Sequence, residues 1–382
     1  MAGFLNDQST TTMKKPFSSE RLYSLDALRG FDMFWIMGAE EIFHRMSDIT
    51  GTPFWNALSV QFNHPDWHGF AFYDLIFPLF LFLAGVATPY SIGKQLEKGH
   101  SKSSLLRRVV KRGFILVLLG VVYNNGLEIM PISEIRFASV LARIGLAYMF
   151  ANIIYLYFKE RGQMIWFVGI LFGYWFLLLF GHAPGYEMGN LTMEGNIVSY
   201  LDTLIVPGKL YLGIHDPEGL VSTIPAIATG LLGIYTGNLL KNTPKDKKIQ
   251  TATRLFVLGV ILIILAQIWN LVFPINKNLW TSSFVLQCGG ISMLLMATFY
   301  YIIDILGHQK WAFFFKIIGM NSILIYMSGS FINWGYTTKA MFGWVGQLVG
   351  EPYNVVVLVI CSLAVQWLFL HFLYQKKTFL RV

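Results

Sequence analysis

The run LFVLGVILIILAQIWNLVF, residues 255 to 273, carries no charged side chain and no polar face. As an α-helix rising about 1.5 Å per residue it matches the roughly 30 Å hydrocarbon thickness of a bilayer. A water-soluble fold would have to bury such a segment on every side. Comparable runs place spans at 27–46, 69–93, 108–126, 137–157, 164–182, 221–240, 283–305, 312–333 and 353–373. The sequence therefore predicts an all-α polytopic membrane protein of about ten transmembrane helices in a lipid bilayer. Only 13% of the chain is charged while 55% is hydrophobic, too little polar surface to solvate so many apolar runs.

The net charge of +8 does not point to nucleic acid, because the basic residues lie in short segments between spans. GKQLEKGHSKSSLLRRVVKR, KERG, KNTPKDKK, GHQK and YQKKTFLRV are rich in Lys and Arg, whereas the alternating segments near 47–68, 127–136, 183–220, 274–282 and 334–352 are poor in them. By the positive-inside rule the basic set is cytoplasmic, so both termini are expected inside. Residues 1–24 read as a cytoplasmic tail without the apolar centre of a signal peptide, and 25–382 as one transmembrane domain with an external loop at 183–220. That loop's aromatic content favours an ordered lid, with a packed cap of no binding role as the alternative. Cys288 and Cys361 fall within apolar spans and indicate neither a disulfide nor a metal, and no metal is expected.

Charge inside a span needs a reason, since it costs a few kcal/mol or more in lipid. In SLDALRGFDMFWIMGAEEIFHRM, a continuous helix sets Arg29 and Glu40 about 20° apart, with Asp32 and His44 about 60° to either side. Such a stripe faces a bundle interior or an aqueous cavity; the structural reading is an Arg29–Asp32 pair with Glu41 and His44 marking the outer boundary. The second span carries Asp74 near its start, after His64, Asp66 and His68 in the external lead-in. A histidine partnered by a carboxylate suits general-base work, because imidazole titrates near neutrality and the carboxylate fixes its tautomer. Alternatively, Asp74 caps or pairs locally and His64 is an interfacial side chain.

RLYSLDALRG (21–30) followed by HPDWHGFAFYDLIFPLFLFLAG (64–85) resembles the heparan-α-glucosaminide N-acetyltransferase family and its bacterial glucosamine N-acetyltransferase branch. RFASVLARIG (136–145), DPEGLVSTIPAIATGLLG (216–233), PINKNLWTSSFV (274–285) and GMNSILIYM (319–327) follow in family order. The resemblance starts at residue 21, and the N-terminal luminal region and leading span of animal members are expected to be absent. It implies transfer of acetyl from cytosolic acetyl-CoA, as co-substrate, to an amino sugar such as glucosamine or a terminal glucosaminide on the far side of the membrane. The catalytic histidine of the family's H-x-x-W-x-G motif falls on His64, as base or as acceptor of the acetyl group itself, and its supporting aspartate on Asp74. Arg29, with Arg107, Arg108, Lys111 and Arg112, is placed on the cytosolic side, where the nucleotide end of CoA would dock; the structural reading of LLRRVVKR is topology-setting charge.

The chain departs from the family pattern at three places. Glu40 stands where an asparagine is common, Ala142 where a glutamine is common, and Gly329 lies in a stretch that carries a histidine in the animal enzyme. An ionised carboxylate repels a developing oxyanion that an amide would hold, so Glu40 is expected to be protonated, to bind a cationic amine, or to mark a different acceptor. Asn276, Lys277, Asn321, Asp216 and Glu218 are the further candidates for contact with acceptor or pantetheine. The competing readings are an amino-sugar transporter without acyl transfer, expected to show inverted repeats, and an O-acetyltransferase of an envelope glycan. The expected location is a bacterial inner membrane; the oligomeric state is open, a homodimer among the possibilities.

Overall fold

The computed structural model describes residues 22–380. The chain runs through α1 (Tyr23–Phe34), α2 (Glu41–Thr50), α3 (Pro53–Gln61), α4 (Ile76–Thr88), α5 (Lys94–Glu97), α6 (Lys102–Asn125), α7 (Val140–Tyr157), α8 (Glu160–Phe180), α9 (Ile197–Ile205) and α10 (Thr223–Lys241). It continues through α11 (Lys248–Asn270), α12 (Ser282–Phe299), α13 (Ala312–Met320), α14 (Ser322–Phe331), α15 (Trp334–Val349) and α16 (Asn354–Gln375). Several helices start on a side chain that accepts the amide of the residue three positions on: Ser101 before α6, Ser139 before α7, Asn196 before α9, Thr281 before α12 and Asn333 before α15. The protein is an all-α integral membrane protein. Among the described residues, seven helical segments are long and apolar enough to cross a bilayer, or eight if the bent pair α13–α14 counts as one. The two remaining expected spans fall on α1 and α6, whose charged residues set them apart from the purely apolar helices.

The structure departs from the sequence reading in four respects. The helix beginning at Tyr23 does not continue straight to residue 46: Trp35–Ala39 forms a π turn, with Gly38 at φ 111°, and α2 starts anew at Glu41. The angular stripe linking Arg29, Glu40 and His44 is therefore broken, since it requires a single unbroken helix. The expected span 312–333 is two helices bent by 67°, with Asn321 at the bend. Residues 334–352, expected to be a loop, contain α15, which packs along α16. Finally, α6 begins at Lys102, before the apolar stretch opens at residue 108, because a helix carries its basic first turns past the point where hydropathy fades. The tail expected over residues 1–24 lies outside the described residues except for its last three.

The interior is formed by α1, α4, α7, α10 and α12, around Leu28, Leu79, Phe82, Ala226, Phe284 and Met296. By contrast α8, α11 and α16 are mostly exposed and present apolar surface outward, as lipid-facing helices do. Close approach of the inner helices rests on glycine. A Cβ at Gly233 of α10 would stand 2.1 Å from the Phe82 carbonyl oxygen of α4, and one at Gly30 of α1 only 1.7 Å from the Phe315 oxygen of α13. Small residues let membrane helices touch backbone to backbone, which is where dispersion attraction is gained when lipid competes for apolar surface. Loops before α4, α7, α10 and α12 meet at one end of the bundle: Gly69 donates to the Ile275 carbonyl at 2.9 Å and Arg136 reaches Asp216. Gly233→Ala is expected to destabilise the purified protein by at least about 1–3 kcal/mol, the range for overpacking a tight core; its melting midpoint in detergent, compared with the parent, checks this.

Candidate active site

Asp74 sits in a 3-10 turn, Phe72–Leu75, that opens into α4. Its carboxyl is buried, and its two oxygens are divided. Oδ2 accepts the Ala71 amide at 2.9 Å, closing the turn; Oδ1 lies 2.7 Å from Nδ1 of His64. The local-cap and histidine-partner readings are thus both realised, one per oxygen. A hydrogen bond to an ionised carboxylate assigns the proton of neutral His64 to Nδ1 and leaves Nε2 as the basic nitrogen. The His64 side chain is 47% exposed.

Lys277, from the loop between α11 and α12, joins this pair. Its Nζ lies 2.8 Å from Nε2 and 3.2 Å from Nδ1 of His64, beside the ring edge between them, and 3.7 Å from Asp74. Burial lowers the lysine's pKa, and the Asp74 charge works against that effect. The turn that presents Lys277 is built by Asn276, whose Oδ1 accepts the Leu279 amide at 2.8 Å while Nδ2 lies 3.2 Å from Nδ1 of His68. Tyr73 flanks the other side, its ring 5.3 Å from that of His64 and its hydroxyl in hydrogen-bonding reach of Glu40. The break at Gly38 aims Glu40 here, and its Oε2 is buried without a hydrogen-bond partner among the described residues.

A second charged group stands behind the first. Arg136 donates to both oxygens of Asp216, at 2.9 and 2.8 Å, and to Glu218 at 2.6 Å. Asp216 also accepts the Tyr211 and Glu218 amides, so it fixes the loop. Burial works against its charge, but the Arg136 bonds hold Asp216 below the usual carboxylate range. Glu218 has the freer carboxylate and lies within electrostatic reach of Lys277. Arg143, fully buried in α7, donates to Ser222 and to the Gly219 carbonyl and lies 4.8 Å from the centre of the Trp280 ring.

The segment 183–220 covers this end. Trp67, three residues after His64, donates to the Leu191 carbonyl at 2.7 Å and packs its ring 5.2 Å from that of His215. His215 is buried with Ser199 Oγ 2.8 Å from its Nδ1, and Asp202 accepts the Leu220 and Val221 amides, each at 3.0 Å.

The structure thus brings His64, Asp74, Lys277 and Asn276 together, with Glu40 and Glu218 nearby. It does not bring in Asn321, whose side chain is taken by the Thr378 carbonyl and the Leu380 amide of the C-terminal segment. Arg29 pairs with Asp26 near the start of α1. Arg107, Arg108 and Lys111 are exposed on the first turns of α6, Arg108 bonding Gln95, while Arg112 lies over the Tyr148 ring at 4.5 Å. Three exposed cations on adjacent turns suit phosphate; Arg112 is already engaged. His44 bonds Ser59 and Glu41 pairs with Arg45, both away from the cluster. Tyr73, Arg136 and Arg143 were not singled out from sequence. The arginines could have been, as ionisable residues just before and inside an apolar span; Tyr73 carries no such signal.

Over residues 21–273 the chain matches the family profile described as heparan-alpha-glucosaminide N-acetyltransferase, catalytic. The chain belongs to this family. Similar proteins include two named heparan-alpha-glucosaminide N-acetyltransferase, both 27% identical. The one from Homo sapiens aligns over 80% of this chain and 52% of its own length, and the one from Mus musculus over 96% and 61%. The chain therefore spans between about half and three fifths of the relatives it matches. Within the heparan-alpha-glucosaminide N-acetyltransferase profile lie His64, Asp74, Arg136 and Glu218; Lys277 falls just beyond its end.

The covering segment has an acid response of its own. Burial presses His215 down to about 4, from an ordinary 6.5, and lifts Asp202 to about 6, from 3.8. A depressed histidine gives stability that is present above pH 6.5 and lost as pH falls toward 4. A raised carboxyl gives stability present below 3.8 and lost as pH rises through 6. The two oppose each other between pH 6 and 4. Melting midpoints in detergent between pH 6.5 and 4 should fall more steeply in Asp202→Asn and less steeply in His215→Asn than in the parent.

Proposed function

We propose that this protein is a transmembrane acetyltransferase that moves acetyl from cytosolic acetyl-CoA to an amino sugar, glucosamine or a terminal glucosaminide, on the outer side of a bacterial cytoplasmic membrane, with both termini inside. The observation that carries the reading is the pairing of an accessible His64 with a buried Asp74 at 2.7 Å. Family membership supplies the reaction class.

Once Lys277 moves off Nε2 toward the thioester oxygen, His64 Nε2 takes the proton of the acceptor amine as the nitrogen forms its bond to the thioester carbonyl. When the carbonyl re-forms, the C–S bond breaks and CoA leaves as thiolate, which takes up the proton. Asp74 holds the ring in the required tautomer and stabilises the imidazolium. Lys277, beside the base, is placed to hold the carbonyl oxygen as negative charge develops there, the task an amide at position 40 would share. Glu40 instead receives the acceptor's ammonium and takes up one of its protons, later released to water, so that a neutral amine attacks. Arg107, Arg108 and Lys111 hold the phosphates of CoA on the inner side.

Purified protein should release CoA from acetyl-CoA when given glucosamine. His64→Ala should lower turnover at least about 100-fold, the lower bound for losing a positioned base; full turnover in that variant overturns the assignment. Glu40→Gln should change the glucosamine KM several-fold while leaving the acetyl-CoA KM in place, and unchanged kinetics would return Glu40 to a structural role. Screening hydroxyl acceptors beside amines by product mass separates N- from O-acetylation.

A further inference from the structure

Tyr123 of α6 and Tyr326 of α14 lie stacked, ring centres 4.5 Å apart and planes inclined by 19°. Two helices with little other contact are joined here, the Ser330 hydroxyl donating to the Tyr123 carbonyl at 3.3 Å. The pair's surroundings are those of the site. Tyr326 is within reach of Glu218 and Arg136, and Tyr123 within reach of Tyr73, which in turn flanks His64. The stack therefore lies near both the Arg136–Glu218 group and the Tyr73–Glu40 group, at the same end of the bundle as the base. Neither ring is fully buried. Beyond Tyr326 the wall is open: Gly329 is exposed, and a Cβ built there meets nothing within 4 Å.

A pyranose has an apolar C–H face and a rim of hydroxyls. An aromatic face bordered by carboxylate, guanidinium and phenol groups is complementary to both parts at once. We propose that the stacked Tyr123 and Tyr326 form the platform on which the sugar ring of the acceptor rests, with Glu218 and Arg136 meeting its hydroxyl rim. Stacking on Tyr123 fixes the orientation of Tyr326, and the part-exposed surface of the two rings is what the sugar would meet. Tyr123 and Tyr326 are then specificity residues for a hexosamine ring, whereas Glu40, His64 and Lys277 deal with the amine and the acyl group. This inference rests on the acetyl-transfer reading for its substrate class.

The test uses the full chain with glucosamine and, as an acceptor without a ring, ethanolamine. Tyr326→Leu should raise the glucosamine KM roughly tenfold, in line with losing a stacking contact, while the acetyl-CoA KM and turnover on ethanolamine stay at parental values. Tyr326→Phe, which keeps the ring, should restore most of the glucosamine KM. An unchanged glucosamine KM in Tyr326→Leu, or an equal loss on both acceptors in protein that still elutes and melts as the parent, overturns the platform. Calorimetric binding of glucosamine to His64→Ala provides a readout free of catalysis. Binding that weakens on adding Tyr326→Leu supports the platform even if no acetyl is transferred, which would sink the transfer reading alone; binding indifferent to Tyr326 sinks the platform alone.

Discussion

A single buried carboxyl ties the start of a membrane helix to the histidine of the candidate site. Asp74 gives one oxygen to the Ala71 amide and the other to His64. A carboxylate this deep is tolerated only when its lone pairs are met, and each bond to a charged group contributes about 1.5–3 kcal/mol. The same bonds that make Asp74 affordable also set the position and tautomer of His64. Lys277 completes the balance of charge, and its own position depends on the Asn276 turn. Geometry and chemistry here have one cause.

Everything around that carboxyl serves to bring loops from distant parts of the chain to one place. The backbone-to-backbone crossings at Gly233 and Gly30 keep α4 against α10 and α1 against α13. The loops above them are then joined by polar contacts: Gly69 to Ile275, Trp67 to Leu191, Arg136 to Asp216 and Glu218. Each contact links segments far apart in sequence. The helix break at Gly38 does the opposite task, interrupting a regular element so that Glu40 turns toward Tyr73.

Apolar runs made the fold class and most helices legible, because a bilayer imposes a length and a composition that a sequence must display. What stayed hidden was where a helix bends. The left-handed backbone at Gly38 and the bend at Asn321 are set by tertiary contacts, the latter through the Thr378 and Leu380 backbone. A helical wheel drawn across Gly38 consequently misplaced His44. Within the site, His64 and Asp74 were readable as a pair because they flank one span start. Lys277 was readable only as a polar contact, since nothing in residues 274–282 announces that its Nζ reaches the histidine 213 positions earlier. Asn321, expected as a ligand contact, has its amide bonded to the Thr378 carbonyl and the Leu380 amide, a pairing with residues far along the chain that sequence does not announce.

The convergence of loops before α4, α7, α10 and α12 has an electrical side. Helices α4, α7, α10 and α12 begin at this end, so the positive poles of their peptide dipoles face the same space, although Ser139 and Thr281 each take up an amide of the first turn. Left alone, such a mouth would attract anions and repel an ammonium. Asp74, Asp216 and Glu218 are stationed there, each close to a helix start, and Glu40 stands opposite. The carboxylates offset part of the backbone's field, so an end that the fold by itself would have made basic carries fixed acid, with Arg136 and Lys277 set against it.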